Sequence, residues 1–306
     1  MLRIGITGMS AGNAHPYSWS SIINAKYDGK EISALGYPAV ADYLDANKDT
    51  LGIPGAAITH VWTQDKSISK SIAMSSGIQH IVEKAEDMIG KVDAVILARD
   101  DAEFHVEMAK PFIEAGVPIF IDKPLATTQQ DLDWFEAQQA SGKFIMSCSS
   151  MRYANECRIV KQNLAALGSL ELVTAVGKKD WLKYGVHIIE AMLATLNDPK
   201  VATVQHIGEV GRDVVHLTFE NGLPATIHLF MNISGTFQIS FFGQKAWQMA
   251  DIKNSYSMFR DNIIEFVRSV EEGKPRLDFN KTKNIINVVV AAETSRLSGG
   301  KLIHLK

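Results

Sequence analysis

Cysteine is nearly absent from this chain: Cys148 and Cys157 are the two among 306 residues. Two are too few for a disulfide framework, and their spacing matches no common metal pattern. Both are expected as buried thiols, with Cys148 closing a strand where it would border a crevice. Long apolar runs are missing too. The run from Ile285 to Ala292 is interrupted by Asn287 and falls far short of the roughly 20 residues a membrane helix needs. Charge of one sign is not in excess, since 31 Lys and Arg face 34 Asp and Glu for a net charge of -3. That balance lacks the basic footprint of a nucleic-acid binder. The start, Met1-Leu2-Arg3-Ile4, enters a strand directly, with no basic segment, long apolar stretch or small-residue cleavage site. The expectation is a cytoplasmic protein with neither membrane nor nucleic acid as partner.

What is present reads as an ordinary globular chain, 46% hydrophobic and 21% charged, long enough for two domains of about 100 to 200 residues each. Apolar runs alternate with helical stretches through the first half: Leu2 to Thr7, then Ala57 to Trp62 and Ser67 to Met74, Ala94 to Ala98 and Glu103 to Glu114, Pro118 to Ile121 and Gln129 to Ala140, and Phe144 to Ser147. This rhythm predicts a parallel sheet with helices on both faces. After Ser150 it stops. Leu170 to Val176, Ala202 to Ile207, Val214 to Phe219, Ala225 to Phe230 and Gln238 to Phe242 read as strands without intervening helices, and Asn221-Gly222 is a hairpin signal. The fold class is therefore an α/β Rossmann domain over residues 1–148, followed by an α+β domain with a large, mostly antiparallel open-faced sheet over 149–306. The outer face of that sheet is expected to join copies into a homo-oligomer, a dimer or tetramer.

The first strand runs straight into Gly8-Met9-Ser10-Ala11-Gly12-Asn13. A glycine-bearing turn there lets the backbone approach a pyrophosphate, whose charge the next helix N-terminus stabilises. The match to G-x-G-x-x-G is imperfect, with Ser10 at the second glycine position and Gly12 one residue early. A plain strand-to-helix turn would look similar, and the βαβ repetition downstream is what favours a dinucleotide site. His15 follows the turn, where it would face cofactor or substrate, or else pack internally. The second strand is delayed by a Pro-, Gly- and Asp-containing segment, Tyr27 to Gly55, of the kind that forms lids. It ends in Trp62-Thr63-Gln64-Asp65-Lys66-Ser67, where Thr63 or Asp65 would meet the ribose and Lys66 and Ser67 a phosphate. Asp65 equally suits a helix N-cap. NAD and NADP both remain open.

Two strands end in charge. Ala98-Arg99-Asp100-Asp101 closes the fourth, and Pro118-Ile119-Phe120-Ile121-Asp122-Lys123-Pro124 is a buried strand that stops on an acid, a lysine and a proline. Pro124 biases Lys123 away from helical geometry, holding it at a bend where open α/β sheets place their ligands. A surface lysine in an ordinary loop is the plainer reading. In the second half one helix stands out, from about Gly185 to Leu196, with Trp181, Lys183, Tyr184, His187 and Glu190 before and within it. Tyr184, His187 and Glu190 are spaced to share a face, so that Glu190 would orient His187 as a proton acceptor. A packed, inert histidine fits the same pattern. His216 and His228 lack a third ligand of suitable spacing, and no metal site is expected.

Taken together these segments resemble the Gfo/Idh/MocA family of glucose-fructose oxidoreductase, inositol dehydrogenase and related proteins, across essentially the whole chain. Asp122-Lys123-Pro124 matches that family's E-K-P with Asp for Glu, and the resemblance implies that Lys123 lies between nicotinamide and substrate. The D-x-G-x-H motif corresponds to Lys183-Tyr184-Gly185-Val186-His187. Its histidine is kept and its aspartate is Lys183, with Tyr184 placed to take over part of the polar role. Arg99-Asp100-Asp101 stands where relatives often have Thr-Pro-Asn.

The expected function is an NAD(P)-dependent dehydrogenase acting on a secondary alcohol or ketone of a sugar, cyclitol such as inositol, or related polyol. Lys123, His187 and Tyr184 are its catalytic candidates. Gly8, Ser10, Ala11, Gly12, Asn13, Thr63, Asp65, Ala98, Arg99, Asp100, Asp122 and Lys123 are the cofactor candidates. His15, Trp181, Lys183, Tyr184 and His187 are the substrate candidates, Trp181 and Tyr184 forming an apolar platform for a sugar face. The rivals are an NAD-retaining glycosidase or lyase, and a non-catalytic dinucleotide sensor.

Overall fold

The computed structural model describes residues 1–305. It divides into two compact units, one of residues 1–125, 133–147 and 259–279, the other of residues 126–132, 148–258 and 280 onward. The units are therefore not two halves of the chain.

In the first unit β1 (Leu2–Thr7), β2 (Ala56–Trp62), β3 (His80–Ile81), β4 (Ala94–Leu97), β5 (Ile119–Ile121) and β6 (Ile145–Met146) form a sheet in the order β3-β2-β1-β4-β5-β6. Every pairing is parallel. The central strands are short, β-branched or aliphatic, and fully buried in β4 and β5, as parallel strands covered on both faces must be. The order reverses between β1 and β4. Their carboxyl ends thus border the switch point at which such sheets bind ligands.

Helices α1 (His15–Asn24), α4 (Lys66–Ser76), α5 (His105–Glu114) and α6 (Gln129–Ala140) alternate with these strands. The delayed segment before β2 is mostly helical rather than irregular, with α2 (Gly29–Ala34), α3 (Pro38–Ala46) and a 3-10 turn at Lys48–Thr50. Asp28 starts α2 by accepting the Lys30 and Glu31 N–H groups, and Pro38 suits the first turn of α3 because its missing donor would be unpaired anyway. β3 is a two-residue strand too short to carry a periodic signal. A distant segment completes this core. Phe266, of the helix Ser255–Glu271, packs its ring 5.7 Å from Phe120 and 6.5 Å from Phe144.

The second unit holds α7 (Asn155–Asn163), β7 (Leu170–Lys178), α8 (Trp181–Thr195), β8 (Val201–His206), β9 (Arg212–Phe219), β10 (Pro224–Phe230), β11 (Phe237–Gly243), β12 (Trp247–Asp251), then α9 (Ser255–Glu271, ending in the first unit), α10 (Phe279–Leu297) and β13 (Ile303–His304). Its sheet runs β12-β11-β7-β10-β9-β8-β13. All neighbours are antiparallel except β7 and β10. The strands alternate, with Val173, Ala175, Ile227, Leu229, Ile239 and Phe241 buried on one side. Helix α8 lies on that side: a Cβ at Gly177 would stand 2.6 Å from Ile188 Cδ1, so glycine lets helix and strand approach. No helix among the described residues is long and apolar enough to cross a membrane.

Candidate active site

The turn after β1 has the backbone a phosphate cradle needs. Gly8 and Gly12 have φ of 79° and 78°, a region L side chains rarely adopt. A Cβ on Gly8 would lie 2.6 Å from Arg99 Cγ, whereas one on Gly12 would meet nothing within 4 Å. The exposed side of the turn is open and its inner side is filled by Arg99. Helix α1 takes no cap from its N-cap residue Ala14; its His15 N–H donates to Asn13 Oδ1 at 2.9 Å, and Pro16 follows with no N–H to satisfy. Thr7 Oγ1 is buried beneath without a hydrogen-bond partner. These features fit the diphosphate of a dinucleotide.

Two buried carboxylates tie this turn to the ends of β4 and β5. Ser10 Oγ donates to Asp100 Oδ1 at 2.5 Å and accepts the Asp100 N–H at 3.1 Å. Asp122 Oδ2 accepts from Asn13 Nδ2 at 3.0 Å and lies 2.5 Å from His15 Nδ1, while its Oδ1 accepts the Lys123 N–H at 2.7 Å. The aspartate is one methylene shorter than glutamate, which keeps its carboxylate at the strand end within reach of all three. His15 is further held by a stacked Trp19 ring at 4.3 Å. Lys123 is buried, its Nζ 3.4 Å from Asp100 Oδ2. Ala98 is buried and donates its N–H to Thr7 O.

The remaining first-unit candidates divide by role. Arg99 turns its guanidinium to the Asp101 carboxylate and over the Phe104 ring, 4.3 Å to the centroid. Asp65 is the N-cap of α4, accepting the Ser67 N–H at 2.7 Å, and Thr63 Oγ1 donates to Asp65 O at 2.6 Å. The cap role therefore engages Asp65, and Lys66 pairs with Glu83. Sequence reasoning did not find Gln64, which both donates to Met9 O and accepts the Met9 N–H. Nor did it find Tyr37, whose phenol takes the Gly12 N–H; burial raises its pKa, and that hydrogen bond opposes the rise. Tyr37 had no local motif to mark it, since it comes from the excursion before β2.

In the second unit α8 begins at Trp181, four residues before the predicted start, because Asp180 caps it by accepting the Lys183 N–H at 3.0 Å. Tyr184 and His187 share a face, their ring centroids 5.3 Å apart, with Phe237 6.3 Å from each. Lys179 Nζ donates to Tyr184 Oη at 2.5 Å and sits over the Tyr184 ring. Lys183 is half-buried in the first turn of the helix.

Two expectations fail here. Trp181 is not a substrate platform: it is 3% exposed, and its indole N–H donates to Val289 O at 3.1 Å. Glu190 does not orient His187. It pairs with the Arg152 guanidinium, which also holds Asp198 at 2.7 Å. Burial raises the Glu190 pKa. Burial alone would lower that of Arg152, but the Glu190 and Asp198 charges outweigh it and raise it. The group on His187 is Ser149, with Oγ 2.6 Å from Nδ1. Ser149 lies 38 residues upstream and carries no local pattern that announces it.

Comparison with known proteins fits this geometry. Residues 32–145 match the model of the family described as "Oxidoreductase family, NAD-binding Rossmann fold", Gfo/Idh/MocA. An inositol 2-dehydrogenase 1 of Saccharopolyspora erythraea is 33% identical over 108 residues, 34% of this chain and 32% of that protein. The alignment thus spans about a third of that relative's length. An inositol 2-dehydrogenase of Corynebacterium glutamicum is 25% identical over 263 residues, covering 78% of this chain and 70% of its own. Among solved structures, myo-inositol dehydrogenase from Lactobacillus casei, in complex with NAD(H) and myo-inositol, superposes with a TM-score of 0.76 at 13% identity, covering 100% of this chain and 97% of that one. That likeness establishes the fold of both units. The family match falls on the unit that bears Lys123, and over residues 32–145 the chain is similar to the Gfo/Idh/MocA oxidoreductases.

Proposed function

We propose that this protein is an NAD(P)-dependent dehydrogenase that moves a hydride between nicotinamide and a secondary alcohol or ketone carbon of a polyol, with a cyclitol or sugar as the substrate class. The observation that carries this reading is Lys123, buried at the carboxyl end of β5 with its ammonium beside a carboxylate. A buried ammonium at the switch point of a Rossmann sheet suits an oxygen that gains negative charge during reaction. The names of the Corynebacterium and Saccharopolyspora relatives support a cyclitol.

When bound, the dinucleotide supplies the hydride acceptor or donor at its nicotinamide ring. The Gly8–Asn13 turn binds its diphosphate. Lys123 holds the substrate oxygen by charge-assisted hydrogen bonding. His187 exchanges the hydroxyl proton: with Nδ1–H donating to Ser149 Oγ, its Nε2 is the basic nitrogen. Tyr184 and Phe237 present ring surface beside that imidazole, and Lys179 fixes the phenol. Where the helix motif has Lys183 in place of an acid, Ser149 supplies the histidine with a hydroxyl partner.

The same reading assigns the outer face of the second sheet to a homo-oligomer contact. Leu172, Val176, Phe242, Trp247 and Met249 lie on that face, and Trp247 is 63% exposed. Light scattering that finds only monomer at micromolar concentration rules the contact out.

The test of function is a screen of both dinucleotides against a library of cyclitols, sugars and sugar acids, reading the absorbance of reduced nicotinamide. Net reduction with a cyclitol or sugar is expected. Cofactor binding without turnover across the library would instead indicate a sensor. In K123M the turnover found should fall about 100-fold or more while cofactor affinity survives; wild-type rates in that variant would exclude the role.

A further inference from the structure

The glycine turn departs from its pattern at Ser10, and the end of β4 departs at Asp100. The two departures meet. Ser10 Oγ donates to Asp100 Oδ1 and accepts the Asp100 N–H, a reciprocal pair that fixes the carboxylate's rotation. Its other oxygen, Oδ2, is thereby aimed at Lys123 Nζ, 3.4 Å away. Both side chains are at least nine-tenths buried, 9% and 5% exposed. An ammonium removed from water to that extent needs a fixed negative charge beside it to offset the lost hydration. A neutral amide at position 100 would accept a hydrogen bond but supply no such charge.

Other charged groups of this unit have contacts of their own. Asp122 is shared by His15, Asn13 and the Lys123 backbone. Arg99 is on Asp101, and His105 is set between the carbonyls of Arg99 and Leu125, at 2.9 and 3.1 Å. The Tyr37 phenol takes the Gly12 N–H and feels the Asp100 charge.

We infer that Asp100, locked by Ser10, is the positioning residue that keeps the Lys123 ammonium paired and aimed, so that turn and lysine operate as one hydrogen-bonded unit. The inference rests on the reading of Lys123 as the group that holds the substrate oxygen.

The experiment is trace acylation of the full-length protein, with the modification of Lys123 quantified by mass spectrometry at pH 7 and pH 11, in wild type, D100N, D100E and S10A. Only the unprotonated amine reacts. D100N is expected to raise Lys123 labelling at pH 7 by about tenfold, the equivalent of one pKa unit for loss of a neighbouring charge, with no excess at pH 11, where lysine amines are largely unprotonated. S10A should give a smaller rise of about threefold, and D100E should restore the wild-type value. Equal labelling of D100N and wild type at pH 7 overturns the inference, as does an excess that persists at pH 11, which would mean mere exposure. Should D100N fail to fold, S10A decides: labelling unchanged from wild type overturns the inference. Turnover is recorded separately. A wild type that turns over no polyol defeats the functional reading and leaves the labelling result standing.

Discussion

Ser149 Oγ lies 2.6 Å from His187 Nδ1, and the same oxygen accepts the Met151 N–H at 3.1 Å. The backbone thus fixes the hydroxyl, and the hydroxyl fixes the imidazole. In S149A the ring loses the contact that selects its tautomer. We expect kcat to fall about tenfold, less than the roughly hundredfold or more that loss of the acid–base group itself costs, and the pH profile to move. Dinucleotide affinity should stay unchanged when measured by fluorescence titration.

Arg152 is buried between Glu190 and Asp198. Removing one partner of a buried ionic group leaves the others unpaired, at a cost of about 3 to 5 kcal/mol. Urea unfolding of E190A should show a loss of that order. An E190A protein of wild-type stability with lost turnover would return Glu190 to the chemistry.

Gly8 has both a positive φ and a crowded Cβ position against Arg99. G8A must therefore shift Arg99 or the turn. Its dinucleotide affinity is expected to fall at least tenfold by titration calorimetry, and G12A, whose Cβ would enter the open side of the turn at a φ of 78°, is expected to lose affinity as well without displacing Arg99.

Cys157 is buried, and burial pushes its thiol up to about 11 from an ordinary 9.0. A folded-state pKa raised above the unfolded one contributes stability that is complete below pH 9 and is lost as pH rises toward 11, because the unfolded thiol ionises first. Two pKa units correspond to about 2 to 3 kcal/mol. The stability gap between wild type and C157A should shrink by about that much between pH 8 and pH 11 in paired denaturant titrations. Alkylation of Cys157 in the native protein at pH 8 should be slow.

Much of this was legible from residues alone. Buried parallel strands announce themselves as short apolar runs, so β1, β4 and β5 and the placement of Lys123 at a strand end could be read directly, as could the antiparallel second sheet. The Gly8–Asn13 turn was visible despite Ser10 and the early Gly12. What escaped was long-range pairing. The spacing of His187 and Glu190 on one helix face suggested a partnership, yet Arg152, 38 residues before Glu190, holds the carboxylate and Ser149 takes the imidazole. Trp181 looked like a sugar platform because an indole beside a site suits one, and only packing against α10 reveals it as core. The segment before β2 looked irregular because its helices are six and nine residues long, too short for periodicity to show.

The first unit's core includes residues 259–279, with Phe266 against Phe120 and Phe144 and with Phe259 5.1 Å from His15. During synthesis, then, the nucleotide-binding lobe waits for its final wall until more than a hundred further residues have left the ribosome. A gene cut at the apparent boundary after residue 148 would deliver a Rossmann sheet with an apolar side uncovered, and splicing this lobe onto a different second domain requires carrying that late helix along with it.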